Sequence, residues 1–320
     1  MTDPASAAGG AAVTEHASDF VSAAEQASAT SNKPRSLAQD AWYDLRRRPL
    51  FVIAGALILL ILLMAAFPTL FTSVDPTYAE LSRARQGPSA DAWFGYDAQG
   101  ADIYARTIHG ARASVVVGVL ATLLTVLIGG TMGVIAGYAG GWVDGLLSRI
   151  ADVFFGLPFV LGAIVILTSF RAAGGNKPVA IVGIVVFSLA ILSWPVTMRI
   201  MRSAAISAKQ QDYVKAARAL GAKPSRIILR HMLPNSAAPV LVYATIALGS
   251  FIGAEATLSF LGLGLRSPVV SWGVMISDSG TWIRVAPHLL LFPAGFLVIT
   301  VLAFVMLGDA VREALDPKMR

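Results

Sequence analysis

The sequence predicts an all-α membrane protein with six transmembrane helices. Three observations carry that reading: the composition, the length of the uncharged apolar runs, and the placement of Lys and Arg. Of 320 residues, 56% are hydrophobic and 14% charged, whereas soluble domains carry about 25% charged residues. Mean hydropathy is +0.68. Cysteine is absent, which excludes a disulfide framework, a Cys-ligated metal and a thiol nucleophile. The net charge of +6 would suit nucleic acid in a soluble chain. In a membrane chain it fits a Lys- and Arg-rich cytoplasmic surface, and no nucleic-acid partner is expected.

The elements follow in order. Residues 1–40 are rich in Ala, Ser, Thr and Gly and short of aromatics, so they bury too little apolar surface to offset the cost of ordering and read as a disordered cytoplasmic tail. Residues 41–72 form an N-terminal anchor. Leu50 to Phe67 is uncharged over eighteen residues and follows Arg46, Arg47 and Arg48, whereas a cleaved secretory signal has a shorter apolar core nearer the start. An extracytoplasmic loop, 73–112, comes next. The main transmembrane domain, 113–310, holds five more apolar runs near 113–138, 146–169, 178–200, 236–261 and 286–308, each of a length suited to a bilayer core that takes about 20 helical residues. Pro158, Pro195 and Pro293 permit kinks where neighbouring helices satisfy the freed carbonyls. A cytoplasmic segment, 202–234, interrupts this domain, and 311–320 is a cytoplasmic tail.

Orientation rests on the bias of Lys and Arg towards the cytoplasm. With both termini inside, seventeen of the 25 Lys and Arg fall in cytoplasmic segments, eight of them between Arg199 and Arg230. Arg83, Arg85, Arg106 and Arg112, on the outside, share their loop with Asp75, Glu80, Asp91, Asp97 and Asp102.

No catalytic constellation emerges. His16, His109, His231 and His288 are scattered, and the chain has no HExxH, no GxSxG elbow and no GxxxxGK[ST] phosphate loop. The chain is therefore not expected to be an enzyme or to bind a cofactor or metal, and transport driven by ATP would need a separate subunit. Gly129, Gly133, Gly137 and Gly141 recur every fourth residue, which lets another backbone approach one helical face and reads as packing, within the subunit or against a second one. Glu255, in "IGAEATLSFLGLG", lies where an ionisable group costs roughly 2.5–3.5 kcal/mol and so faces a cavity or a partner. It is either a translocation-pathway group or a protonated or hydrogen-bonded carboxyl near the outer water interface.

The segment "DYVKAARALGAKPSRIILRHMLPN" reads as helix, tight turn, helix. Helix-compatible residues from Asp212 end at Gly221, a natural left-handed stop, and Pro224 suits the first turn of a second helix that ends by Pro234. Tyr213, Ala216, Ala217 and Leu220 share a small apolar face, with Lys215 and Arg218 pointing elsewhere. Small residues beside a glycine suit docking into a narrow protein groove. A helix lying on anionic lipid would want bulky residues opposite its cations, a role open to Ile227, Ile228 and Leu229, and a solvated loop is a further alternative.

These residues resemble the permease subunits of binding-protein-dependent ABC importers. The cytoplasmic signature of that family is EAA, three residues, Gly, nine residues, I-x-L-P. Lys215-Ala216-Ala217, Gly221 and Leu233-Pro234 fall in its register, with Lys215 in place of Glu and His231 in place of Ile. Within the family the chain is similar to the C-type subunit of dipeptide and oligopeptide permeases, on "FGYDAQGADIYARTIHGARASVVVG" (94–118) and on "AEATLSFLGLG" with "SWG" (254–273). The resemblance covers 42–320. The first stretch departs from the usual G-T-D…G-R-D at Tyr96 and Ala101, while Asp97, Gly100, Asp102, Gly110, Arg112 and Ser114 match.

The resemblance implies a type I ABC importer (MetI-like) fold in the bacterial inner membrane, with no cofactor on this chain and ATP and Mg on partner ATPase subunits. The implied partners are a homologous second permease subunit, two ATPase domains or subunits, an extracytoplasmic substrate-binding protein and membrane lipid. It also implies that the first short helix is the coupling helix seated in a cleft of the ATPase, so that Tyr213, Lys215, Ala216, Ala217, Leu220, Gly221, Leu233 and Pro234 form the coupling set. An acid at 215 would meet a cation on the ATPase; Lys215 is expected instead to face water or an acidic partner residue. Outer segments 72–110 and 263–285, with Asp97, Asp102, Trp272 and Asp278, are the expected docking surface for the binding protein. The implied activity is import of a peptide-class solute. Two rivals differ in class: an ion-coupled secondary transporter with Glu255 as proton relay, which is usually built with more spans or an internal repeat, and a membrane enzyme, which lacks a nucleophile or metal arrangement in this sequence.

Overall fold

The computed structural model describes residues 45–174 and 177–315. The tail expected at 1–40, the first residues of the anchor and the end of the C-terminal tail lie outside the described residues. Among those described, regular structure is helical, with two isolated antiparallel bridges, Ala79 with Ala101 and Tyr96 with Asp102, in the segment before the second long helix.

Helix α1, Pro49–Ala66, opens on a proline, whose missing N–H costs nothing in a first turn. Ile58, Ile61 and Met64 are buried against α2 and the last helix, while Leu59, Leu60 and Leu62 stay exposed. Its final carbonyls are met from α2: Arg112 donates from Nε to Ala65 O at 3.0 Å and from Nη2 to Ala66 O at 3.0 Å.

Helix α2, Ile103–Ala139, is 37 residues long, roughly 55 Å at 1.5 Å per residue. It starts at Ile103 rather than near 113 because Asp102 caps it, accepting from Ala105 N at 2.9 Å. The polar first turns with Arg106, His109 and Arg112 lie beyond the apolar window that marks the span. The run expected as one helix at 146–169 is instead two, α3 (Gly141–Phe155) and α4 (Phe159–Gly174), bent by 89°. The break falls at Gly156, Leu157 and Pro158; proline can neither donate nor clear the preceding turn. Asp144 of α3 is paired with Arg202, and Asp152 with Arg199 at 2.6 Å. Both cations sit on α5, Pro178–Lys209, which therefore runs past the end of its apolar stretch.

Helix α6, Asp212–Ala219, is followed by a short turn, Pro224–Arg226, and a widened π turn, Ile227–Met232, which lead into α7, Leu233–Phe260. The second short helix therefore does not end by Pro234. Pro224–Phe260 is one 37-residue span. Leu233 N bonds to Ile228 O, five residues back, and this wider turn takes up the mismatch created by a proline at 234. Helix α8, Trp272–Ser279, lies outside the spans, and α9, His288–Leu315, completes the fold. Five of these helices are long and apolar enough to cross a membrane, or six crossings with the bent pair counted as one.

The core is built by close helix contact. A Cβ on Gly129 would lie 2.4 Å from Trp194 O, and one on Gly133 would lie 2.5 Å from Met198 O. Only hydrogen fits between these backbones, so α2 and α5 touch directly, and Gly137 continues the contact against Ala205 and Arg202. Gly141 takes no part. The helix ends at Ala139, and Gly141 opens α3 at φ 54, where a Cβ would meet nothing within 4 Å.

Candidate functional site

Two ends of the Pro224–Phe260 rod carry the residues singled out by the sequence. At the first, α6 packs through Val214, which is fully buried with Met201, Ala205, Ile227 and Met232. Val214 was not among the residues read from the sequence; as the one β-branched residue in an Ala-rich helix it was the available signal. Tyr213, Ala216 and Leu220 face outward, Leu220 being 88% exposed. With Ala217 and Gly221 they border an open hollow of about 760 Å³.

Gly221, at φ 77, closes α6. Its N–H bonds to Arg218 O at 3.0 Å, and Ala222 N reaches Ala217 O at 3.0 Å. This double bond pattern satisfies the last carbonyls and needs a left-handed residue at its centre. Lys215 pairs with Asp212 at 3.0 Å, one turn away on the same exposed surface. Leu233 is half-buried in the cluster around Val214, and Pro234 is exposed at the start of α7.

The second end is closed. Glu255 is fully buried. Its Oε1 accepts from Ser259 Oγ at 2.7 Å and Ser271 Oγ at 3.0 Å, and its Oε2 accepts from Ser114 Oγ at 3.3 Å. Trp272, on the docking surface expected from the sequence, is also fully buried, its indole Nε1 donating to Thr107 O at 2.9 Å. It offers no surface for docking, because the ring fills the space between α1, α2 and α9. Asp102 is likewise buried and committed to the cap of α2. Asp97 organises its own loop, accepting from Gln99 N at 2.8 Å and Ala101 N at 2.9 Å and pairing with Arg106.

Asp278 is the exposed one of the four expected docking residues; with Arg106 and Gln99 it lines two adjoining hollows of about 230 and 270 Å³, and the half-buried Asp97 lines the first of them. Burial pushes the Asp278 carboxyl above the ordinary carboxylate range; Arg106 opposes that shift and Asp97 adds to it.

Residues 129–320 match the family described as binding-protein-dependent transport system inner membrane component. The chain belongs to this family. Residues 36–88 of the permease match a second family, the N-terminal TM domain of oligopeptide transport permease C. The permease is 41% identical to the dipeptide transport system permease protein DppC of Alkalihalophilus pseudofirmus, over 88% of this chain and 90% of that one. It is 39% identical to the oligopeptide transport system permease protein OppC of Bacillus subtilis, over 91% and 92%. It is 36% identical to the glutathione transport system permease protein GsiD of Pectobacterium atrosepticum, over 87% and 90%. In fold it is similar to a chain of the inward-facing MetNI methionine ABC transporter, with a TM-score of 0.54 at 21% identity, covering 66% of this chain and 97% of that one. The permease is thus a multi-pass inner-membrane transport subunit, and the secondary-transporter alternative finds no support among these relatives.

Proposed function

We propose that this permease imports di- and oligopeptides as one of two homologous membrane subunits, working with two ATPase domains or subunits and an extracytoplasmic substrate-binding protein. The relatives named for dipeptide and oligopeptide transport support the cargo class. The observation that carries the coupling role is the exposed surface of α6. An amphipathic helix that buries Val214 on its own chain and turns Tyr213, Ala216 and Leu220 to a hollow of about 760 Å³ has the shape of a plug without its socket. With both termini and α6 on the cytoplasmic side, the ATPases supply that socket, and ATP and Mg stay with them.

The mechanism is alternating access. The resting complex is open to the cytoplasm; closure of the ATPases on ATP moves α6, and with it the spanning helices, until the pathway opens outward to the docked binding protein. Asp278 and the rim around it are the residues of the outer surface to test for that docking. Purification in mild detergent followed by reconstitution provides the test. Co-isolated ATPases, together with peptide uptake that needs ATP and the binding protein, are expected; uptake by the purified chain alone under a proton gradient would overturn the proposal.

A further inference from the structure

We propose that Glu255 is a positioning residue, a clasp that makes the outer loop 261–287 and α8 move as one body with the rod Pro224–Phe260. The proposal rests on the coupling role given to α6. Its basis is the direction of the hydrogen bonds. A serine hydroxyl has one proton to give, and here each oxygen that gives it to Glu255 already accepts a backbone N–H. Ser259 Oγ accepts from Leu265 N at 2.9 Å, Ser271 Oγ from Val274 N at 3.2 Å and Ser114 Oγ from Trp272 N at 3.3 Å. Those amides belong to the outer loop and the first turn of α8, and the three hydroxyls come from α7, the cap of α8 and α2. One carboxyl therefore fixes where the loop leaves α7 and where α8 begins.

Packing enforces the same register. A Cβ on Gly273 would lie 2.6 Å from Ala256 Cα and 2.9 Å from Ser259 Cβ, so α8 rests on the α7 backbone with no slack. A pathway carboxyl would be expected to face an aqueous cavity; this one is enclosed and fully bonded, which suits transmission of motion rather than ligand contact. Pro224 and Glu255 are roughly 45 Å apart along a helix rising 1.5 Å per residue, so a shift at the α6 end reaches the outer loop only if this joint holds.

The chain has no cysteine, so Leu229→Cys on the rod and Ser267→Cys in the loop 261–287, both exposed, give the one spin-label pair on this chain, measured in the complete transport complex assembled with cysteine-free partner subunits. Pulsed electron spin resonance is expected to give one narrow distance distribution, the same without nucleotide and with ATP trapped. Glu255→Ala is expected to broaden it and to make it depend on nucleotide, and peptide moved per ATP hydrolysed is expected to fall about tenfold, the scale of losing one buried hydrogen-bonded group. A mere loss of folded complex would lower both rates together and leave their ratio unchanged, which would overturn the clasp. So would a wild-type distance that changes with nucleotide, or an Ala variant that matches wild type in both states. Should the Ala variant fail to assemble, Glu255→Gln and Ser114→Ala are read in the same way, with partial broadening expected and unchanged distributions overturning the proposal. A wild-type complex that moves no peptide would count against the proposed cargo, while the distance measurement would still judge the clasp.

Discussion

The two ends of the Pro224–Phe260 rod are built on opposite principles. The Glu255 end is satisfied within its own chain: Glu255 has three donors, Trp272 is buried, and Gly273 leaves no room for a methyl. The α6 end is half-finished, with Val214 buried on one side and Leu220 bare on the other. One helical element thus joins a region packed within the chain to a region that leaves an apolar face exposed. The difference separates substitutions that test internal packing from those that test an exposed face.

The largest expected effect tests the closed end. Gly273→Val drives side-chain atoms into the α7 backbone, and overpacking of this kind is expected to cost roughly 3 kcal/mol, read as a lower melting temperature of the purified permease. A variant as stable as wild type would show that α8 is not seated as described. Next comes Gly221→Ala at the open end. Nothing lies within 4 Å of the new methyl, so the cost is only that of a left-handed alanine, about 1 kcal/mol. Its effect on ATPase coupling is expected to be large by comparison, because the turn aims α6; coupling at wild-type level would break the contrast between the two ends.

Asp278→Asn is expected to have a smaller effect, and its sign is fixed by pH. Its carboxyl is held above the ordinary range by burial, so the folded chain binds that proton more tightly than the unfolded chain. The stability this contributes is present in acid and lost as pH rises through the folded value. Asn removes the penalty, so a gain of no more than about 2 °C is expected at neutral pH, vanishing in acid. A melting series across pH checks both the direction and the disappearance. Smallest of all is Lys215→Glu. The Asp212–Lys215 pair is exposed, so stability is expected to change by less than about 0.5 kcal/mol, with coupling retained because Lys215 already has a partner on its own chain. Loss of coupling at unchanged stability would place an acidic residue of the ATPase opposite it.

How much of this was legible from sequence depended on whether the physics was local. Apolar runs marked the spans because a bilayer imposes length residue by residue, and Gly221 marked the end of α6 because its backbone angle is a property of one residue. The 89° bend at Gly156–Pro158 was not legible, since proline announces a break without its angle. The early start of α2 was visible only in the Asp102 cap, because its first turns, with Arg106, His109 and Arg112, lack the apolar signature. Of the three donors to Glu255, Ser259 lies one turn away and could have been read from the i+4 spacing. Ser271 and Ser114 are brought in by the chain's path, and the burial of Trp272 follows from the same path; a lone "SWG" reads equally well as surface.

Arg112 has a consequence for modularity. The anchor helix and the body of the permease match separate families, over 36–88 and 129–320, as if they were independently exchangeable parts. Yet the final carbonyls of the anchor are held by a guanidinium from α2, and Arg112 falls inside neither matched segment. A chimera that joined two parents at the edges of those segments would inherit both modules, and its success would turn on which parent supplied the seam.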